Sequence, residues 1–393
     1  MKIFGLNKFI FISFFYISCK STAPIVDIGS ISHNGGVDDI DTWLSELSLN
    51  NHFNGAILIS VNGKIELMNT YGYSNLARTK PLTVQSSFRL ASVSKQFTAM
   101  AIMILKERGN LSYDDKVKSY LFNFPYEDVT IRHLLTHTSG IPDYESLVLK
   151  LKNKSSTKYF YRTGQSKENI VYKGDPILYK NQHDILTMED VLNLVIRYSE
   201  KRKFLAGDKY QYSNTGYVLL AYIVEKISEQ TFESFMDDNI FTPLKMNNSS
   251  VWNLNTSSGK LDNRVEGTNK NKLNDYTWMD GVAGDGAVFV SIEDFIKWDE
   301  SFTNNTIISE STFNESITPF ITNNSDTSHY GFGWALDEKD TSIDHAGSWV
   351  GAQTYIYKNP QNGLLFVLLD SSTNKYIRKI RSVILELIKR KNF

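Results

Sequence analysis

The sequence predicts an α+β fold: an antiparallel sheet flanked by helices, with a mostly helical region inserted between the two halves of the sheet. Strand-like segments gather near both ends of the chain, helical periodicity dominates between them, and Asn62-Gly63 separates the first two strands. That dipeptide favours the left-handed turn joining antiparallel strands, so Gly55–Val61 and Lys64–Tyr71 read as a hairpin. Ahead of it, residues 38–49 have helical periodicity with Trp43, Leu44 and Leu47 on the buried side. Toward the C-terminus, residues 330–336, 352–357 and 364–369 read as strands, the last two joined through Asn359-Pro360-Gln361-Asn362-Gly363. Residues 373–391 form an amphipathic helix striped by Ile377, Ile380, Ile384 and Ile388. Between the sheet halves, helices are expected at 131–135, opened by Thr130, at 188–198 and at 217–230. Residues 38–111 and 281–393 then form a discontinuous sheet domain, and 112–280 a mostly helical one. The polar, uneven stretch 152–183 reads as a lid or a surface insertion.

The 393 residues are globular in composition, with 41% hydrophobic, 22% charged and 13% aromatic residues. Lysine and arginine total 42 against 43 acidic residues, a formal charge of -1. Such a chain lacks the clustered basic footprint that nucleic acid requires. No Cys/His spacing suits a structural zinc site, and neither a metal nor a cofactor is expected. His133 and His137 are four apart, but the surrounding Thr136-His137-Thr138-Ser139-Gly140 reads as a turn rather than a metal site. These exclusions leave small or medium-sized substrates, with no obligate protein partner evident.

The N-terminus stands apart. Lys2 and Lys8 precede an apolar run over 9–17, then Ser18 and Cys19, a pattern too short to span a bilayer and suited to a signal peptide over 1–19. Tyr16-Ile17-Ser18-Cys19 resembles a bacterial lipoprotein processing site, with tyrosine where leucine is usual, which makes Cys19 the lipidated residue. A cleaved soluble signal is the alternative. Cys19 is the single cysteine, so no intrachain disulfide forms. Residues 20–37, rich in Ser, Gly and Pro, read as a tether.

The strongest local arrangement is Ser92-Val93-Ser94-Lys95, opening an expected helix over 92–108 that Gly109 stops. Apolar residues occupy both sides of that helix, so it belongs inside the protein and holds Lys95 in a desolvated place. Serine and lysine three apart share one helix face, within reach of each other. Serine needs an adjacent base to become a nucleophile, and desolvation favours a neutral, proton-accepting amine. The start of the helix offers backbone N–H groups to developing negative charge. An ordinary N-cap with a surface lysine is the bland alternative.

Three separated elements, Ser92-Val93-Ser94-Lys95, Tyr212-Ser213-Asn214 and His345-Ala346-Gly347, together resemble the serine beta-lactamase and penicillin-binding-protein superfamily, in its class C-like branch. Phe88-Arg89-Leu90-Ala91, Leu134 to Gly140, Gly284-Asp285-Gly286 and Tyr330 to Trp334 extend the likeness over residues 38–390. The resemblance implies a beta-lactamase/transpeptidase-like fold with Ser92 as nucleophile, Lys95 as its proton partner and Tyr212 sharing the base role. It further implies Asn214, His345, Gly347 and Ser348 as substrate-binding residues, and the backbone N–H groups of Ser92 and Ser348 as an oxyanion hole. Losing one such donor typically costs about 3 kcal/mol of transition-state stabilisation. Asp285, between two glycines, is expected to stabilise a turn.

One departure bears on substrate. His345 stands where class C beta-lactamases have lysine, and histidine is mostly uncharged at neutral pH. This weakens the grip on an antibiotic carboxylate, though a neutral ring retains one donor for Tyr212 or substrate. The expected function is an exported, lipid-anchored acyl-enzyme hydrolase of the periplasm or outer cell surface. Its substrate is expected to be a small peptide, a cell-wall fragment carrying D-amino acids, or an ester. Weak beta-lactamase activity, or a catalytically inactive binding protein, are the alternatives.

Overall fold

The hairpin forms as the turn chemistry dictates: Val61 pairs with Lys64, and Asn62 (φ 50°) and Gly63 (φ 77°) both take the left-handed conformation. The structure is a computed structural model and describes residues 36–147, 185–254, 261–270, 272–275, 277 and 279–390. The signal peptide with Cys19, nearly all of the tether and the 152–183 segment lie outside the described residues.

In chain order come helix α1 (Val37–Leu49), strands β1 (Gly55–Val61), β2 (Lys64–Tyr71) and β3 (Ser87–Arg89), a 3-10 turn (Ala91–Ser94) and α2 (Lys95–Glu107). Next are α3 (Ile131–Leu135), α4 (Met188–Arg197), α5 (Asn214–Ser228), α6 (Phe232–Met236) and β4 (Ser250–Val251). The small strands β5 (Thr268–Asn269) and β6 (Lys272–Leu273) lead to β7 (Val288–Ser291), α7 (Asp294–Thr303) and α8 (Glu310–Ser316). Then follow β8 (Phe320–Ile321), β9 (Thr327–Ser328), β10 (Ala335–Leu336), β11 (Ile343–Trp349), β12 (Ala352–Asn359), β13 (Leu364–Asp370) and α9 (Ile377–Arg390).

The main sheet has the order β10-β11-β12-β13-β1-β2, antiparallel throughout. The N-terminal hairpin docks through β1 on the last strand, β13, so the two ends of the chain complete one sheet. Strands β1 and β13 are apolar on each face, and the period of two sorts them. Ile57, Ile59, Phe366 and Leu368 pack under α1 and α9 with Trp43, Leu44, Ile380 and Ile384. Ala56, Leu58, Leu365 and Val367 face the larger core, which includes α2 and α5. Helix α2 is buried from Lys95 to Leu105, and Phe97 stacks on Trp298 of α7 at 4.0 Å. Each such aromatic removed from water contributes about 1.5–3 kcal/mol. The chain therefore has the expected α+β architecture, antiparallel sheet flanked by helices with a helical region inserted.

One expectation needed correction. The strand expected at 330–336 is confined to Ala335–Leu336, because the segment before it turns sharply: Gly331 N–H donates to Trp334 O at 2.8 Å, and Gly333 adopts φ 81°. A Cβ on Gly333 would stand 2.7 Å from Gln96 N, so this turn packs directly on the start of α2. The interval expected to be mostly helical also supplies β4, which pairs with β7 in a second sheet of order β3-β7-β4. That sheet joins the residues immediately before Ser92 to those after Asp285.

Candidate active site

Ser92 sits in the 3-10 turn rather than in the α-helix itself, which begins at Lys95. Tertiary bonds impose this. Leu90 N–H donates to Val288 O at 2.9 Å, Val288 N–H donates to Ser94 Oγ at 3.1 Å, and Ala91 is held at φ 49°. A left-handed alanine is a strained residue that persists only where its surroundings dictate it. The turn buries Ala91, Val93 and Ser94 and leaves Ser92 half-buried at a cleft.

Lys95 is 0% exposed. Its ammonium group donates to Ser92 Oγ at 3.2 Å, Asn214 Oδ1 at 2.8 Å and the Asp285 carbonyl at 2.9 Å. All three donors are used, and none goes to a carboxylate. Gly284 (φ 101°) brings the Asp285 carbonyl here, since a Cβ at 284 would lie 2.3 Å from Tyr217 O. Asp285 thus acts on the site through its backbone as well as through its turn.

Lys95 Nζ also stands 4.9 Å from the centre of the Tyr212 ring. Tyr212 is held by His137, a fully buried residue at φ 58°. The His137 carbonyl accepts the Gln211 N–H at 2.8 Å, its Nδ1 accepts the Ser213 N–H at 3.2 Å, and its ring packs 4.2 Å from that of Tyr212. The backbone on both sides of Tyr212 is therefore fixed by one histidine. Burial, with Lys95 and His345 nearby, holds His137 well below the usual histidine range, so it is neutral.

His345 differs from its expected role. Its Nδ1 faces the Ala346 carbonyl at 2.9 Å and must carry the proton, leaving Nε2 to accept from Tyr330 Oη at 2.8 Å. Both nitrogens are occupied, so the ring has no donor left for Tyr212 or a substrate. Its ring centre lies 6.3 Å from that of Tyr212. Burial and the proximity of Lys95 lower its pKa to about 3. Position 345 is neutral at every physiological pH.

Strand β11 passes directly beside Ser92. A Cβ on Gly347 would lie 2.3 Å from Leu90 O, 2.3 Å from Thr354 Oγ1 and 3.1 Å from Ser92 N. Gly347 is what permits this approach. Ser348, the next residue, is exposed and lines a cavity of about 70 Å³ together with Ser92, Asn214, Glu145 and Asp285. Asp280 lines it too, but its carboxylate is paired with Arg89 at 2.7 Å and receives Trp349 Nε1–H at 2.8 Å. A larger groove of about 530 Å³ runs along Asn54, Tyr73 and Asn374 and contains none of these groups.

Ser92, Lys95, Asn214 and Ser348 are thus gathered at one cleft with the Tyr212 ring beside Lys95, while His345 is not among the residues lining it and Cys19 is outside the described residues. Sequence reasoning passed over Glu145 and read His137 only as part of a turn. Glu145 lines the cavity, and its Oε1 accepts from Asn214 Nδ2 at 2.7 Å. Burial beside Asp285 and Asp143 pushes it up to about 8. The signal available was its place in Pro142-Asp143-Tyr144-Glu145, just past the Thr136-to-Gly140 turn.

An antiparallel sheet flanked by helices, an inserted helical region and a buried lysine beside a cleft serine define a protein of the beta-lactamase/transpeptidase fold class. A model of the beta-lactamase family matches residues 40–382, and the chain belongs to that family. It is 32% identical to Penicillin-binding protein 4* of Bacillus subtilis over 359 residues, 87% of this chain and 73% of that protein. It is 24% identical to Protein flp of Staphylococcus aureus over 88% of this chain, and spans 65% of that protein's length. The crystal structure of a penicillin binding protein from Bacillus halodurans has a TM-score of 0.69 and 25% identity, covering 88% of this chain and 98% of that one. Membership supports a mechanism of the serine-hydrolase type.

Proposed function

We propose that the protein is an acyl-enzyme hydrolase acting on small peptides, including those with D-amino acids from the cell wall, or on esters. Ser92 Oγ attacks the carbonyl carbon while its proton passes to Lys95 in its neutral form, whose lone pair then faces Ser92 Oγ in place of an N–H, with Tyr212 assisting. The backbone N–H groups of Ser92 and Ser348 hold the negative oxygen, and Asn214 keeps Lys95 in place. As the carbon–nitrogen or carbon–oxygen bond breaks, Tyr212 returns a proton to the leaving group. Water then attacks the acyl-Ser92 ester and gives a proton to the same pair, which returns one to Ser92 Oγ as the ester bond breaks and the acid leaves. The observation that carries this reading is a wholly buried lysine amine 3.2 Å from a half-buried serine hydroxyl at a cleft. The same reading takes the N-terminal pattern as an export signal with lipidation at Cys19, at the periplasm or outer cell surface.

The test is labelling by a fluorescent fluorophosphonate and by a labelled penicillin, comparing the protein lacking residues 1–19 with its Ser92→Ala form. Fluorophosphonate labelling that disappears in Ser92→Ala is expected, and labelling that persists there would overturn the assignment. A second reading, penicillin recognition, is favoured by the names of the relatives. The neutrality of position 345 weighs against it, because no charge stands there to meet a carboxylate. Slow or no penicillin labelling is expected.

A further inference from the structure

The groove of about 530 Å³ lies at one end of the main sheet, where the chain enters β1, leaves β2 and leaves β13. Hydrogen bonds fix its walls. Asn54 Oδ1 accepts the Tyr73 N–H at 2.8 Å, and Asn54 Nδ2 donates to Tyr73 O at 2.9 Å and to Ser371 Oγ at 2.6 Å. One amide thereby ties the three chain ends together. Gly72 (φ 98°) permits this, because a Cβ there would lie 2.0 Å from Asn54 Oδ1. Thr373 N–H donates to Thr268 O at 2.9 Å and joins β5 to the segment after β13. Arg78, Lys270 and Lys375 line the groove, and no aspartate or glutamate lines it with them. Arg78 donates to the side-chain oxygen of Asn51 and lies 5.0 Å from the centre of the Tyr73 ring. Lys375 Nζ lies 4.9 Å from the centre of the Tyr376 ring, which packs 4.9 Å from that of His52. Asn51 and His52 are consecutive, so the two cations converge on one short stretch of chain. Glu266, which does not line the groove, accepts the Leu76 N–H at 2.8 Å.

We propose that this groove binds one small amphiphilic anion, a carboxylate or phosphate monoester with a short apolar body. Its negative group sits with Arg78 and Lys375, and its apolar part lies along Tyr73 and Leu76, both of which line the groove. The volume suits a single small molecule, since such sites measure about 300–1,000 Å³. Both cations rest against neutral partners, an amide oxygen and aromatic rings, and keep their charge for an incoming anion. Hydrogen bonds between ionised groups are about twice as strong as neutral ones. Asn51 and Tyr73 already hold the Arg78 side chain in place, which lowers the ordering cost of binding. The groove shares no lining residue with the cavity at Ser92, so its occupancy does not depend on acylation of that serine.

The experiment is calorimetric titration of the protein lacking residues 1–19 with octyl phosphate, octanoate and neutral octyl glucoside, each below its micelle-forming concentration. At least one anion is expected to bind about tenfold or more tighter than the glucoside, equally in wild type and Ser92→Ala. The double variant Arg78→Gln, Lys375→Gln should lower that affinity by about tenfold or more. The control Lys116→Gln, Lys226→Gln removes the same charge from exposed positions outside the groove, and should lower it by less than about twofold. Equal affinity for all three compounds overturns the proposal, as does a groove variant that keeps wild-type affinity or a control variant that loses as much. The preference of wild type for an anion needs no substitution, so the test stands even if the groove variant fails to fold. Co-sedimentation with phosphatidylglycerol vesicles, with no binding of the monomeric anions, overturns the groove in favour of a flat membrane contact. The readout is binding, so failure of the Ser92 reading leaves this prediction standing.

Discussion

Replacing Gly347 by alanine tests whether the closeness of β11 to Ser92 matters. The added methyl carbon would lie 2.3 Å from Leu90 O and from Thr354 Oγ1, where about 3.5 Å is an ordinary contact. Neither neighbour is a flexible side-chain end: one is backbone, and Thr354 Oγ1 donates to that same Leu90 carbonyl at 2.6 Å. Relief therefore requires β11 to retreat by about 1 Å, with overpacking worth about 1–3 kcal/mol and the hydrogen bond about 1 kcal/mol more. The expected loss of stability is about 2–4 kcal/mol, read by urea denaturation. Ser348 moves with the strand, and a displacement of about 1 Å in an active site costs around a hundredfold in rate. The second-order rate of Ser92 labelling by fluorophosphonate measures this. Gly286→Ala is the matched comparison, since it lines the same cavity but its new carbon meets nothing closer than 3.8 Å. A Gly347→Ala protein with wild-type stability and a labelling rate within about twofold of wild type would refute the argument.

Three further outcomes follow from the same geometry. Lys95→Ala should slow Ser92 labelling by about two to four orders of magnitude, and near-wild-type labelling of the folded variant would rule out its proton role. His137→Phe keeps a ring against Tyr212 but removes the acceptor for Ser213 N–H; labelling should fall about tenfold, with an unchanged rate counting against the clamp. Asp370 is completely buried, and its Oδ2 has no partner among the described residues; burial pushes it from 3.8 to about 7. Because the folded value is the higher one, its contribution to stability is complete below pH 4 and is lost as pH rises through 7. Asp370→Asn cannot ionise, so its stability relative to wild type should climb by up to about 1.4 kcal/mol per pH unit across that window and then level off. Urea denaturation at several pH values checks this, and a pH-independent difference would contradict a buried, titrating carboxyl.

Elements whose signals are local were legible. The hairpin at β1 and β2 was marked by its own turn dipeptide, α3 by its Thr130 cap, and α9 by its isoleucine stripe. Strands β3, β4 and β7 were not, because runs of two to four residues carry no readable period. Helices α7 and α8 also went unassigned. The turn at Gly331 and Gly333 passed for strand because its apolar residues alternate, while the contact with Gln96 that bends it is remote in sequence.

The sequence by itself determined the class of fold and the pairing of Ser92 with Lys95, since residues three apart in one helical turn must meet. It also showed that position 345 carries no permanent charge. Only the tertiary structure decided what surrounds that pair. Asn214, which receives the lysine, is 119 residues away, and the Asp285 carbonyl 190. The clamp on Tyr212 comes from a different segment, and both nitrogens of His345 are engaged by neighbours that no spacing rule names. Hydrogen bonds and desolvation depend on which groups share a space, and for residues so far apart that is set by how the sheet closes between the chain's two ends.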